Sequence, residues 1–247
     1  MPLAVHPLAG GGHNDVRRVD TTAGRFVVRR HLPPLPRAGA DSRFELECQI
    51  LASRHGLAPR VISAAADASW MVMELAPGNA WQEHELTSVS GARRIGARLA
   101  QVHGLKAHPD MQSMDGAAIA RQQLHAISTT GRSVGEATEL AHRASQLADI
   151  VRACGTPVCI NHGDLQHSNL IGAFPVLIDW EYAQIAAPTY DIACLLTYYP
   201  ALRASLPDLL AASGLSTTED QELLELQEQL FACLNRLWSI ANGIDAG

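Results

Sequence analysis

The sequence predicts an α+β chain built as two lobes: a small strand-rich N-terminal one, a larger helical one, and a cleft where they join. Three observations carry this. Short β-branched runs punctuated by Gly and Pro fill the region before Pro77-Gly78. Beyond that break the apolar residues recur at helical spacing over long segments. The chain has 247 residues, enough for one large domain or two lobes with a real core.

The elements follow in order. Leu3-Ala4-Val5 and Asp15 to Val19 read as strands on either side of the glycine run Gly10-Gly11-Gly12. Ala23-Gly24 is a turn signal, and Arg25-Phe26-Val27-Val28-Arg29 is the β-branched run after it. Pro33, Pro34 and Pro36 mark a loop. Asp41-Ser42 caps a helix to about His55, with Phe44, Cys48 and Leu51 at helical spacing and Gly56 as its stop. Arg60-Val61-Ile62 and Trp70 to Glu74 are two more strands.

Ile95, Leu99 and Val102 then form one helical face ending at Gly104. Ala117 to Ile127 and Val134 to Cys154 read as further helices. Two short strands, Val158-Cys159-Ile160 and Val176-Leu177-Ile178, enclose a loop. Helices over Tyr190–Tyr199, Ala201–Ala212 and Ser216–Gly243 complete the chain, the last opening on the capping signature Ser216-Thr217-Thr218-Glu219. The expected organisation is a strand-rich lobe over 1–74, a connector at 75–80 and a helical lobe over 81–247.

Hydrophobic residues make up 47% and charged ones 18%, a globular profile. A net charge of -6 argues against nucleic acid and anionic membranes as partners and favours small cationic ligands. The 5 cysteines are scattered, without Cys-x-x-Cys, as expected of reduced thiols in a cytoplasm. The N-terminus lacks a basic start followed by an apolar run, and the apolar stretch 192–215 is broken by Pro200, Arg203, Pro207 and Asp208. The expected state is a monomer or homodimer. No histidine pair beside a carboxylate suggests a histidine-based metal site.

The chemistry gathers in one stretch. Ile160-Asn161-His162-Gly163-Asp164 leads to Asn169, and Asp179-Trp180-Glu181-Tyr182 closes the next strand. Phosphoryl transfer demands positioning and charge neutralisation more than covalent chemistry. Asp164 is the candidate base for an acceptor hydroxyl. Asn169 and Asp179 supply hard oxygen donors suited to Mg²⁺.

These motifs resemble the protein-kinase-like family of small-molecule kinases, which includes aminoglycoside phosphotransferases, choline and ethanolamine kinases, and thiamine kinases. The resemblance spans Leu8 to about Trp238 and is nearest the choline and thiamine branch. It implies a bilobal protein-kinase-like fold, ATP as donor with GTP as an alternative, Mg²⁺, and a small-molecule alcohol as acceptor. It further implies that His162 braces the catalytic loop and that Asp191 supports it from below. Gly11, Gly12 and Asn14 correspond to the phosphate loop. Arg29 stands where a nucleotide-binding cation is expected, with Glu45 as its partner. Met73, Glu74 and Ala76 correspond to the adenine hinge, with contacts from the Glu74 carbonyl and the Ala76 amide, and Val27 joins Met73 in covering the base.

The acceptor is read from aromatics and acids. Glu181, Tyr182 and Trp238 match choline-kinase positions, and an aromatic face attracts a quaternary or thiazolium cation. Trp81, Trp180, Tyr198 and Tyr199 are further candidate walls. Asn235 stands where a second tryptophan is common, leaving room for a larger cation such as thiamine. The acidic run Glu219–Glu228 is the feature that an aminoglycoside reading would use. A non-catalytic nucleotide-binding regulator is the reading of another class.

Overall fold

The structure is a computed structural model describing residues 2–8, 14–32, 41–108, 111, 115–130 and 133–244. The expected proline-rich loop at 33–36 and the glycines Gly10, Gly11 and Gly12 lie outside the described residues.

The first lobe is an antiparallel sheet of β1 (Pro2–Pro7), β2 (Asn14–Thr21), β3 (Gly24–His31), β4 (Val61–Ala64) and β5 (Trp70–Glu74), in the order β1-β2-β3-β5-β4. Its register matters for the site. Asn14 pairs with His31 across β2 and β3, and Val27 pairs with Met73 across β3 and β5. Between β3 and β4 lies α1 (Ser42–Arg54), capped by the Asp41 side chain on the amides of Arg43 and Phe44. Its inner face carries Glu45 into the lobe, 2% exposed.

The second lobe begins with α2 (Glu83–Thr87) and α3 (Val89–His103), followed by α4 (Gly116–Thr130) and α5 (Val134–Ala153). Two small antiparallel ribbons come next. One pairs β6 (Cys159–Asn161) with β9 (Gln184–Ala186); the other pairs β7 (Leu170–Ile171) with β8 (Val176–Leu177). The chain ends in α6 (Thr189–Tyr198), α7 (Leu206–Ser213) and α8 (Thr218–Ala241).

Ile95, Leu99 and Val102 of α3 are fully buried with Ile160, Leu165, Leu177 and Ile192, so the ribbons flanking the 162–169 loop are anchored in the main core. A second core of α4, α5 and α8 packs the small residues Ala137, Ala141 and Ala144 against Leu230, Leu234 and Leu237. At Gly96 an added Cβ would lie 2.6 Å from the Leu209 carbonyl, which is why α3 and α7 approach so closely. No helix among the described residues is long and apolar enough to cross a membrane.

Some expected bounds shift. Ala201–Ala212 is a 3-10 turn (Pro200–Ser205) followed by α7, with Pro207 at the helix start where a missing N–H costs nothing. The cap of α8 is Thr217 with Asp220 returning the hydrogen bond, one residue later than the Ser216 and Glu219 pattern. Elements β7, β9 and α2 are too short to show a period.

Candidate active site

The loop after β6 is held from beneath. Gly163 has φ +75°, and a Cβ there would lie 2.3 Å from the Tyr182 carbonyl, so only glycine fits. Asp191, fully buried on α6, accepts from the amides of His162 at 3.0 Å and Gly163 at 2.9 Å. His103 of α3 meets the same carboxylate at 3.0 Å. His162 stands edge-on to Trp180, with ring centroids 4.8 Å apart. Its Nδ1 accepts from the Asp164 amide at 3.3 Å and its Nε2 lies 3.0 Å from the Ile178 carbonyl. Those partners assign the Nε2–H tautomer. Both ring nitrogens are thus engaged in bracing the two segments.

Asp164 is 8% exposed and lines the cleft. Asn169 Nδ2 donates to Asp164 Oδ2 at 3.0 Å, while Tyr198 Oη and Gln166 Nε2 each donate to Oδ1 at 3.2 Å. Burial pushes the carboxyl above the ordinary carboxylate range, and the nearby negative charge of Asp179 adds to this. Because the Asn169 amide spends its N–H groups on Asp164, its oxygen is turned the other way.

Asp179 adopts φ +66°, a left-handed conformation rare outside glycine and typical of functional turns. Its Oδ1 lies 2.8 Å from Arg29 Nη2, and Glu181 Oε2 lies 2.9 Å from the same nitrogen. Arg29 also pairs with Glu45 on α1. Burial alone would lower the guanidinium's pKa, but the charges of Asp179, Glu45 and Glu181 outweigh it and hold the pKa above the arginine norm. His31 lies two residues beyond Arg29, hence on the same strand face. It contacts Asn14 Oδ1 at 2.9 Å and Glu45 Oε2 at 3.4 Å. Asn14 closes the ring by donating to Glu181 Oε2 at 2.8 Å.

A cleft of about 850 Å³ joins these groups. Val27, Met73, Glu74 and Ala76 line one end, whereas Tyr182, Tyr198, Phe231 and Trp238 line the other. Trp238 Nε1 donates to Tyr182 Oη at 2.8 Å, and the rings meet at 87°. Trp238 therefore lines the cleft rather than the core.

Several expected placements differ. Trp180 is fully buried behind His162, and Trp81, 2% exposed, donates to the Gly172 carbonyl beneath Arg94. Tyr199 holds His167 instead of facing the cleft. None of the three walls an acceptor pocket. Glu181, expected with Tyr182 and Trp238, turns to Arg29 and Asn14 because a buried cation draws it there. In the acidic run, Glu219, Glu222 and Glu225 are exposed, and Glu228 pairs with Arg203. Sequence reading missed His31, Tyr198 as a partner of Asp164, and His103. Only His31 left a trace, its i+2 spacing from Arg29.

Among the described residues no cluster of three His, Cys, Asp or Glu forms a closed metal cage. Mg²⁺ needs none, since it keeps waters and uses substrate phosphates beside one or two protein oxygens. Two neighbouring carboxylates, Asp164 and Asp179, with an amide oxygen beside them fit such an ion chemically.

The family model described as "Phosphotransferase enzyme family" matches residues 4–226. No curated protein matches the chain in sequence. Among solved structures, choline kinase LicA from Streptococcus pneumoniae is similar with a TM-score of 0.79 and 17% identity, covering 100% of this chain and 88% of that one. LicA has also been solved with AMP. A choline/ethanolamine kinase family protein from Mesorhizobium loti has a TM-score of 0.77 and 18% identity, covering 98% of this chain and 82% of that one. The GDP complex of an aminoglycoside 2′-phosphotransferase IIIa mutant has a TM-score of 0.68 and 14% identity, covering 99% and 86%. At such identities the likeness speaks for a shared kinase-like fold.

Proposed function

The chain belongs to the phosphotransferase enzyme family, and on that premise we propose an ATP- and Mg²⁺-dependent O-phosphotransferase acting on a small, cationic alcohol. Choline, ethanolamine and thiamine are the leading acceptors. One observation carries this reading: Asp164, Asn169 and Asp179 line the same cleft as the Tyr182–Trp238 corner and the hinge residues.

In this reading the nucleotide base lies against Val27 and Met73 and is read by the Glu74 carbonyl and Ala76 amide. Backbone contacts do not choose between purines, and the neighbours solved with AMP and with GDP leave GTP as a test arm. Arg29, steadied by Glu45 and His31, holds phosphate oxygens. Asn169 and Asp179 hold Mg²⁺, which supplies neutralisation of charge on the transferring phosphoryl group. Asp164 orients the acceptor hydroxyl and takes its proton, with Tyr198, Gln166 and Asn169 fixing the carboxylate's direction. His162 braces the loop without exchanging protons. The acceptor's cationic end sits at Tyr182 and Trp238, each good aromatic contact contributing about 0.5–2 kcal/mol.

The free state of all five cysteines supports a reducing, cytoplasmic setting. The aminoglycoside alternative keeps its fold neighbours, but Glu219, Glu222 and Glu225 of the acidic run are exposed to solvent.

The test is nucleoside diphosphate release from ATP, and in a second arm from GTP, with Mg²⁺ against choline, ethanolamine, thiamine and kanamycin. Turnover of one of the first three is expected. Turnover of kanamycin alone would reverse the ranking, and ATP bound without turnover of any acceptor would favour a nucleotide-binding regulator.

A further inference from the structure

His31 stands on β3 with its side chain 3% exposed, two residues from Arg29 and on the same face of the strand. Its Nδ1 lies 2.9 Å from Asn14 Oδ1. The orientation of that amide is fixed from its other end. Asn14 Nδ2 donates to Glu181 Oε2 at 2.8 Å, where an amide oxygen would face a carboxylate instead. Asn14 therefore offers His31 an oxygen, and Nδ1 must carry a hydrogen. On the opposite side of the ring, Nε2 lies 3.4 Å from Glu45 Oε2.

A neutral ring with its hydrogen on Nδ1 would turn the lone pair of Nε2 toward this carboxylate. A second proton makes the same contact an ion pair. His162 is the contrast: it accepts from the Asp164 amide and donates to the Ile178 carbonyl, so a neutral tautomer serves it, whereas His31 meets two acceptors. Charge balance points the same way. Glu45, Asp179 and Glu181 bring three carboxylates to the single guanidinium of Arg29. Burial and the neighbouring Arg29 oppose a second cation; Glu45 in contact and Glu181 beyond Asn14 favour it. Asp15 and Arg30 lie on the other face of the sheet, paired with each other. Glu45 divides its oxygens, Oε1 to Arg29 and Oε2 to His31, so the ring sets how Glu45 is presented to the guanidinium.

We propose that His31 is a positioning residue that works as an imidazolium: one ring N–H holds Asn14, the other holds Glu45, and together they fix Arg29 for the nucleotide phosphates. The phosphate role rests on the kinase reading above; the charged ring does not. Loss of the second proton leaves Glu45 Oε2 against a lone pair, frees that carboxylate to turn, and loosens the guanidinium it steadies. Nucleotide affinity then depends on pH through His31, although His31 itself does not line the cleft.

The ring is read directly by nitrogen NMR on the full chain with isotope-labelled histidine, its His31 resonances assigned through the backbone. Both ring nitrogens should keep their hydrogens past about pH 6.5, where an unperturbed histidine gives one up. A bare nitrogen in the His31 ring at that pH overturns the proposal. Calorimetry of ATP with Mg²⁺ then tests the coupling. Affinity should fall about 2–10-fold as the ring loses its second proton, the scale of one hydrogen bond's net contribution. His31→Gln can still offer Glu45 an N–H but does not titrate. It should bind more weakly than the parent below the titration and show no such fall. A variant that binds weakly yet keeps the parent's pH profile would make His31 merely structural and overturns the positioning role. So does a parent chain whose affinity ignores the titration. Should His31→Gln not fold, the parent's ring titration and its loss of affinity must still coincide, and a mismatch overturns the proposal. A chain that binds no ATP sinks the kinase reading, while the ring measurement still decides the imidazolium on its own.

Discussion

Arg29 and Asp179 are joined at 2.8 Å although they stand 150 positions apart in the sequence, and through that contact the sheet of the first lobe touches the turn at 179–182 of the second. The same guanidinium holds Glu45 and Glu181. One cation thus sets the position of three carboxylates, two of them within the turn at 179–181.

Replacing Arg29 tests that role. Arg29→Lys keeps the charge but loses the fork, so it serves fewer of the three acids at once. The KM for ATP is expected to rise about 10–100-fold, the scale of lost charge-assisted hydrogen bonds. Arg29→Met takes the cation from the buried Glu45 and Glu181 and should destabilise the fold by about 3–5 kcal/mol, read by denaturant unfolding. A parent-like KM in Arg29→Lys would remove the phosphate role.

Asp164→Asn keeps the shape but removes the base and turns one acceptor oxygen into a donor. We expect kcat to fall about 10²–10⁴-fold while ATP affinity, measured by calorimetry, holds. Unchanged turnover would take Asp164 out of the chemistry.

Asp179→Ala addresses the metal. Nucleotide affinity in the presence of Mg²⁺ should weaken, and the Mg²⁺ concentration needed for half-maximal activity should rise. Affinity that survives the change would show that the ion is held elsewhere.

The raised pKa of Asp164 has a kinetic and a thermodynamic consequence. As the base must be ionised, the acid limb of kcat/KM should lie above the unperturbed value of 3.8. Tyr198→Phe removes a donor that favours the ionised carboxylate, so it should move that limb to higher pH. For stability, the folded state retains a proton that the unfolded chain releases near pH 3.8. Stability from this group is therefore present below that pH and is lost as pH rises toward the raised pKa. Asp164→Asn should remove this component of the slope; an identical pH–stability profile for the variant would contradict it.

Much of the site was legible beforehand because its spacing is chemical. Asp164 and Asn169 share one loop, Asp179 follows the next strand by two residues, and Arg29 ends a β-branched run. The spacing of these groups is written in the local chain, although Asp191, His103 and Arg29 of other elements fix where the loop and the turn sit. The cap at Asp41 and the stop at Gly56 are local in the same sense.

The sequence by itself determined the order of strands and helices, the residues of the catalytic loop, and the cation of β3. Only the tertiary structure decided which aromatics meet the cleft, where Glu181 turns, and that His31 and Asn14 close a ring around Arg29. The physical reason is that periodicity assigns a residue to one face of its own element but carries no information about what lies opposite. Tyr182 and Trp238 stand 56 positions apart and meet at 2.8 Å only because packing brings α8 beside the turn at 179–182.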